Sequence, residues 1–380
     1  MPWLTAQQAL GLLGTKSQTL YANVSRGRIR AKPDPSDTRR SLYLAEDVNR
    51  LAARQAGRRK TESVAADAIQ WGDPMLPSAI STVSNGRLFY RGRDTAHLSA
   101  TATLEDAAAL LWNIKRPLRS AGNDASQSRP SIADALVLLA ARAASDLPSL
   151  GRSMPTLQRE AETVLATVAG ALAPGVAQLP LHARLAISWD RPRAADAIRR
   201  ALVLFADHEL NTSTFAARVT ASSGASLSAA TLAGLAALTG PLHGGAWQGM
   251  RMLVESAEKV GAREAVRLYL AQGHALPAFG HPLYPHGDPR AAALIEHFPV
   301  PPIYAEVGDA VEDMVGERRN ADFALSALAA AFDLPVDAPL VIFALARTVG
   351  WLAHAIEQAT SGQLIRPRAR YVGVPLENDG

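Results

Sequence analysis

The chain has no cysteine among its 380 residues, which excludes disulfides, thiolate catalysis and cysteine-ligated zinc. It has no uninterrupted apolar run of about 18 residues, so no membrane span is expected. Its start, Met1-Pro2-Trp3-Leu4-Thr5, lacks a basic residue followed by an apolar stretch, so no signal peptide is expected. Aromatic residues are only 6% of the chain and β-branched residues are sparse, whereas Ala and Leu abound, a balance that favours helices. Gly-rich phosphate loops, dinucleotide fingerprints and internal repeats are all missing. The expectation is a soluble, cytoplasmic, all-α protein of two or three domains.

Charge is uneven along the chain. The net charge is +4, but residues 1–60 hold twelve Lys/Arg against four Asp/Glu, a local +8 that leaves −4 for the rest. A small basic module on a near-neutral body suggests a polyanion-binding appendage. Within it, Thr5 can cap a helix with Ala6, Ala9, Leu10 and Leu13 on one face, and Ser17 can cap a second from Gln18 to Arg26. A basic loop, Arg28 to Pro35, a strand-like Ser41-Leu42-Tyr43-Leu44 and a third helix near Ala45-Glu46-Asp47 follow. Residues 1–55 resemble the winged helix-turn-helix of the excisionase and mercury-resistance-regulator type. The likeness rests on Leu4-Thr5-Ala6-Gln7-Gln8-Ala9, Thr19-Leu20-Tyr21 and Val24-Ser25-Arg26-Gly27-Arg28-Ile29-Arg30. It implies possible DNA binding, with Gln18, Thr19, Tyr21 and Asn23 toward bases and Arg26, Arg28, Arg39 and Arg40 toward phosphates.

Residues 56–73 read as a linker. Asn85-Gly86 between Ser81-Thr82-Val83-Ser84 and Arg87-Leu88-Phe89-Tyr90 predicts one short β-hairpin. From Leu104 the pattern is helical, with a loop at Gly122 to Pro130. The stretches 131–146, 194–207 and 226–238 are apolar nearly all round, so helices buried on every side are expected there.

Two histidines sit among glycines, in Gly240-Pro241-Leu242-His243-Gly244-Gly245 and Phe279-Gly280-His281-Pro282-Leu283-Tyr284. Such backbone turns sharply and can approach a ligand closely. With Asn320-Ala321-Asp322-Phe323 downstream, the set suits proton chemistry beside a carbonyl. A carboxylate removes the proton, and a neutral imidazole at a helix N-terminus stabilises the oxyanion, since the helix dipole disfavours its protonation. The His274, His281 and His286 spacing fits no standard helical metal-ligand pair, so no metal is expected.

Seven motifs in order make residues 74 to 373 resemble the citrate synthase family. They are Tyr90-Arg91-Gly92, Ala206-Asp207-His208-Glu209-Leu210-Asn211, the two histidine motifs (the second extending to Asp288-Pro289-Arg290), Asn320-Ala321-Asp322-Phe323, Ala346-Arg347-Thr348-Val349-Gly350-Trp351 and Arg366-Pro367-Arg368. The resemblance implies an all-α fold with a large domain at 74–245 and 331–380 and a small, CoA-side domain at 246–330. It implies condensation of acetyl-CoA or propionyl-CoA with oxaloacetate, giving citrate or 2-methylcitrate. Asp322 would be the base, His243 the enol stabiliser and His281 the acid on the oxaloacetate oxygen. His208, Asn211, Arg290, Phe343, Arg347 and Arg366 would hold the di-acid, with Arg366 reaching across from the second subunit of a homodimer. Leu276, Pro277, Ala278 and Gly280 would meet CoA, a co-substrate; no permanently bound cofactor is implied. Trp247 replaces a usual Asn, Ala278 a usual Gly, and Pro285 stands in a stretch that normally carries a cation. The alternative is a DNA-binding regulator whose synthase-like body senses citrate, oxaloacetate or CoA with little turnover.

Overall fold

A computed structural model describes residues 3–13, 17–25, 28–35, 37–49, 76–118, 129–369, 371 and 373–374. The chain forms two compact units, Met1–Pro77 with Arg368–Gly380, and Ser78–Pro367. The expected linker at 56–73 lies outside the described residues.

In the first unit, β1 (Trp3–Leu4), α1 (Ala6–Leu13), α2 (Ser17–Ser25), β2 (Ala31–Asp34), β3 (Asp37–Leu44) and helical residues 45–49 (α3) follow in order. The expected basic loop is partly strand: β2 pairs antiparallel with β3, which pairs with β1 in turn. Thr5 and Gln8 close a reciprocal cap on α1, with Thr5 N–H donating to Gln8 Oε1 at 2.9 Å and Gln8 N–H to Thr5 Oγ1 at 3.4 Å. Ala9, Leu13, Leu20, Ile29, Tyr43 and Val48 form a small core. Arg30 grips the buried Asp47 through Nε at 2.8 Å and Nη2 at 3.1 Å, tying the strand pair to α3. Tyr21 is exposed on α2, but Asn23 is buried, and its carbonyl accepts from Arg28 N–H at 2.8 Å just beyond the helix end. Arg26 and the side chains of Gln18, Thr19, Arg39 and Arg40 lie outside the described residues.

The second unit opens on β4 (Ser81–Ser84) and β5 (Arg87–Tyr90), joined by Asn85 at φ 50° and Gly86 at φ 70°, as a tight hairpin turn needs. A third strand, β6 (Arg93–Asp94), extends the expected hairpin into a sheet. Helices follow: α4 (Thr95–Thr101), α5 (Leu104–Leu111), α6 (Ile132–Ser145), α7 (Met154–Leu172), α8 (Leu181–Ser188), α9 (Ala195–Leu204), α10 (Thr212–Ser222) and α11 (Leu227–Leu238). Then come α12 (Ala246–Val260), α13 (Ala262–Ala271), α14 (Pro289–Ile295), α15 (Pro302–Val315), α16 (Ala321–Ala331) and α17 (Ala338–Ser361). The fold is mostly helical, as composition predicts.

Helix α17 is the spine. It packs against α5, α7, α9, α10, α11 and α16. It is long and apolar enough to cross a membrane, yet 94% of its most apolar window is buried inside the protein. Small residues allow this closeness: Gly234 of α11 lies under the Trp351 ring, where a Cβ would come within 2.7 Å. The expectation for α6 fails, because Val137 is 67% exposed and only Ala135 and Leu139 are fully buried. Its apolar outer face has no cover among the described residues.

Candidate active site

Two residues next to the sheet shape the first wall. The Tyr90 hydroxyl lies 3.1 Å from the carbonyls of Val203, Leu204 and Asp207 and accepts from Asp207 N–H at 3.0 Å, fixing the turn after α9. Asp207, fully buried, accepts from Ser81 Oγ and from His354 Nε2, the latter at 3.3 Å. His354 Nδ1 accepts from Arg218 at 3.1 Å, so the imidazole proton sits on Nε2, facing Asp207. His208 projects from this anchored turn.

The second wall is the 278–290 loop. Gly280 N–H donates to Arg318 O at 2.7 Å, Asn320 N–H to Ala278 O at 3.2 Å, and Asn320 Nδ2 to Gly280 O at 3.0 Å. These bonds strap the loop to the start of α16. Ala278 adopts φ 68°, a left-handed conformation that disfavours a side chain. His281 then meets His208 with ring centroids 5.1 Å apart, and Tyr284 bonds His208 Nε2 at 2.8 Å. His281 Nδ1 accepts from Leu283 N–H at 3.1 Å, which leaves the proton of the neutral ring on Nε2.

His243 comes from the turn between α11 and α12. A Cβ on Gly244 would lie 2.4 Å from Leu238 O and one on Gly245 2.8 Å from Pro241 Cα, so the turn requires both glycines. His243 Nε2 lies 2.8 Å from Ser213 Oγ, which also accepts from Trp351 Nε1 at 3.1 Å and reaches Asn211 Oδ1 at 2.8 Å. Phe343 fills the space between, its ring 6.2 Å from His243 and 6.0 Å from Phe205.

Cations line the floor. Arg290 is buried and clasps Asp288 through Nε at 2.9 Å and Nη2 at 2.6 Å, while Asp288 also accepts from Ala321 N–H at 3.2 Å. Arg347 is buried over the Phe343 ring, and its Nε donates to Phe205 O at 3.0 Å. Its Nη1 has no hydrogen-bond partner among the described residues. Asp322 lies at the second position of α16, where its N–H donates to Asn320 Oδ1 at 3.0 Å. Asn320, not Asp322, is therefore the helix cap.

Burial sets the protonation states. Desolvation, then the Arg347 charge, lowers His243 to about 4. Desolvation and Arg290 lower His281 to about 4, and His208 falls well below the ordinary range for the same reasons. The neutral imidazoles expected from a helix dipole thus arise first from burial. Asp322 moves the other way, raised by desolvation to about 6 against the pull of Arg290 and Arg347. Burial lowers Arg347 to about 10, still charged at neutral pH.

The structure brings His208, His243, His281, Arg290, Asp322, Phe343 and Arg347 into this linked set. Asn211 belongs to it differently: it caps α10, and its amide is occupied by Thr214, Ser213 and the His208 carbonyl. Leu276 and Pro277 are half-buried, with Pro277 against Gly249. Gly280, at φ 71°, carries the Glu317 carboxylate over its Cα. Arg366 is exposed after α17 and makes no hydrogen bond or ion pair among the described residues. Sequence reasoning assigned nothing to Ser213, Tyr284, Asp288 or Trp351. Ser213 sits in Asn211-Thr212-Ser213-Thr214, which as sequence is indistinguishable from ordinary helix-capping chemistry.

Residues 156–368 match the family model of the citrate synthase C-terminal domain. The chain is 30% identical to citrate synthase 2 of Bacillus subtilis, over 79% of this chain and 95% of that protein. It is 34% identical to 2-methylcitrate synthase of Shewanella oneidensis, over 46% of this chain and 49% of that protein. The solved citrate synthase of Thermotoga maritima superposes with a TM-score of 0.64 at 26% identity, covering 81% of this chain and 98% of that one. The family match spans more than half the chain, and this chain belongs to the citrate synthase family.

Proposed function

We propose that this enzyme condenses acetyl-CoA, or propionyl-CoA, with oxaloacetate and releases CoA with citrate or 2-methylcitrate. The observation that carries the reading is the buried, charged Nη1 of Arg347 without a partner among the described residues, since such a donor is costly unless an anion completes it. Arg347, with Arg290 and His208, holds the di-acid. Asp322 takes a proton from the carbon next to the thioester. Ser213 Oγ–H rests on Asn211 Oδ1; turned to His243 Nε2, the same single proton leaves His243 Nδ1–H for the enol oxygen. The enol carbon then attacks the keto carbon, and His281 Nε2–H supplies the proton to the new alkoxide. Water hydrolyses the thioester and frees CoA, the thioester being a co-substrate. Leu276, Pro277, Ala278 and Gly280 form the loop over which CoA lies.

Thiol release with acetyl-, propionyl- and butyryl-CoA plus oxaloacetate tests this directly. Release no faster than in Asp322→Ala with all three thioesters would overturn it.

The assembly we propose is a homodimer in which Arg366 completes the partner's site. The uncovered apolar Val137, Leu138, Leu147 and Leu150 support a subunit contact. Mixing Arg366→Ala with Asp322→Ala chains should restore activity in mixed dimers; no recovery despite exchange would place Arg366 outside the shared site.

A second reading concerns residues 1–55. Arg28, Arg30 and Lys32 are exposed along the strand pair, and Tyr21 is exposed on α2. They support DNA binding, in an enzyme or in a sensor with little turnover. A salt-dependent shift of a promoter fragment, lost on removing residues 1–60, is expected. Equal, weak binding to any DNA would reject sequence-specific recognition.

A further inference from the structure

The Tyr284 hydroxyl and His208 Nε2 lie 2.8 Å apart, and among the described residues this hydroxyl makes no other hydrogen bond. Tyr284 is buried, and burial raises its pKa well above the ordinary range against the pull of Arg290, so the hydroxyl keeps its proton. Asp288 and Glu209, whose charges reach it, are engaged elsewhere: Asp288 by Arg290 and Ala321 N–H, and Glu209 by Val83 N–H at 2.6 Å. The tyrosine proton therefore goes to His208.

The His208 ring is neutral, because burial and then the charges of Arg290 and Arg347 hold its pKa well below the ordinary range. A neutral imidazole has one N–H and one lone pair. With Tyr284 donating into Nε2, the ring proton stands on Nδ1. The opposite tautomer would set two protons against each other and leave a buried hydroxyl without an acceptor, which is costly. Nδ1 makes no hydrogen bond among the described residues, yet it is not sealed in as Arg347 Nη1 is. The ring lies within the influence of Arg290, Arg347, His281 and His243, all groups of the cleft.

We infer that Tyr284 is a positioning residue for the di-acid: its hydroxyl sets His208 in the Nδ1–H tautomer, so that Nδ1–H is donated to a substrate oxygen. The identity of that substrate rests on the condensation reading; the tautomer does not. The loop holds the tyrosine firmly enough for this. Tyr284 N–H donates to His281 O at 2.8 Å, Gly287 N–H donates to Tyr284 O at 3.0 Å, and Pro282 and Pro285 restrict the backbone on either side. The Arg290 guanidinium lies over the Tyr284 ring at 5.4 Å. One turn of chain thus fixes the protons of both imidazoles, His281 through Leu283 N–H and His208 through Tyr284.

Imidazole nitrogen chemical shifts of the histidine-labelled, full-length chain read the tautomer without substrate, the His208 signal being the one lost in His208→Ala. The unaltered chain should show Nδ1–H at His208. Tyr284→Phe keeps the ring under Arg290 but removes the hydroxyl, and should bring in the Nε2–H form. Oxaloacetate titrated calorimetrically should bind Tyr284→Phe about tenfold more weakly, the worth of one buried hydrogen bond. In the His208→Ala background the same substitution should add nothing, because Tyr284 acts through His208. An Nε2–H tautomer in the unaltered chain overturns the inference. So does a loss of affinity from Tyr284→Phe that is equal with and without His208, since the hydroxyl would then serve packing alone. Thiol release by the unaltered chain tests the condensation separately, and its failure leaves the tautomer measurement intact.

Discussion

His243 Nε2 and Ser213 Oγ stand 2.8 Å apart, and the same oxygen accepts the indole N–H of Trp351 at 3.1 Å. Ser213 therefore has one proton and two acceptors to give it to, His243 Nε2 and Asn211 Oδ1. Only donation to His243 leaves Nδ1–H free to stabilise an enol oxygen. Ser213→Ala should lower kcat about 10- to 100-fold with little change in the KM for oxaloacetate, because one oriented donor contributes on that scale. Steady-state kinetics with both substrates varied separates the two effects. A rise in KM alone would mean Ser213 serves binding and not the imidazole.

The pH profile follows from the carboxylate. Asp322 must be ionised to act as a base, and burial raises it to about 6, while His243 and His281 fall to about 4 and are already neutral above that. The acid limb of kcat/KM should therefore bend near pH 6, and it should belong to Asp322. Initial rates from pH 5 to 8 check this. A limb near 4 and flat activity above it would assign the limb to the imidazoles instead.

Stability should respond with the opposite sign. A carboxyl raised from 3.8 to about 6 on folding favours the native state below its unfolded value, and that advantage is lost as pH rises through about 6. Above this the fold carries a desolvated charge. Asp322→Asn should thus raise the melting temperature at pH 8 and change it little near pH 4, each kcal/mol appearing as about 2–4 °C. Thermal unfolding at the two pH values distinguishes this from a uniform loss of packing.

These expectations could be drawn early because glycine betrays special backbone. The turns around His243 and His281 were legible since Gly244, Gly245 and Gly280 occupy positions a side chain would obstruct or strain. The hairpin at Asn85-Gly86 was legible for the same reason. Partners across the fold were not. Ser213 lies 30 residues from His243, and Tyr284 lies 76 from His208, distances at which no periodic pattern carries information. Apolar periodicity misled at α6, because an apolar helix face looks alike whether its own chain or another covers it. The segment 31–34 reads as loop because of Pro33, although a strand paired on one side tolerates proline.

Arg347 gives a sharper test of the di-acid site. Its Nε is spent on Phe205 O, so substrate would meet the remaining guanidinium nitrogens, Nη1 among them. Lysine keeps the charge but can neither hold the Phe205 carbonyl nor grip a carboxylate with two parallel bonds. Arg347→Lys should raise the KM for oxaloacetate about 100-fold, a loss of about 3 kcal/mol, with a smaller effect on the KM for the thioester. Equal rises in both constants would point to general disorder of the cleft.

Gly350 tests how the spine helix supports the cleft from behind. In an exposed helix, Gly→Ala stabilises by about 0.5–1 kcal/mol. At Gly350 a Cβ would lie 2.3 Å from Asp207 Oδ1 and 2.5 Å from Ala206 O. Neither neighbour can move cheaply, since Tyr90 holds Asp207 N–H at 3.0 Å and Gly350 N–H donates to Ala206 O at 3.1 Å. Displacing Asp207 would also break its bonds to Ser81 and His354. Gly350→Ala should therefore destabilise by about 2 kcal/mol or more, as overpacking of a rigid core does. Gly170 of α7 is the control, because a Cβ there meets nothing within 4 Å and Gly170→Ala should stabilise. Denaturant unfolding of the pair reads the difference directly. Opposite signs from one substitution in two helices would locate the cost at Asp207; equal signs would mean that the backbone behind His208 yields more readily than its hydrogen bonds imply.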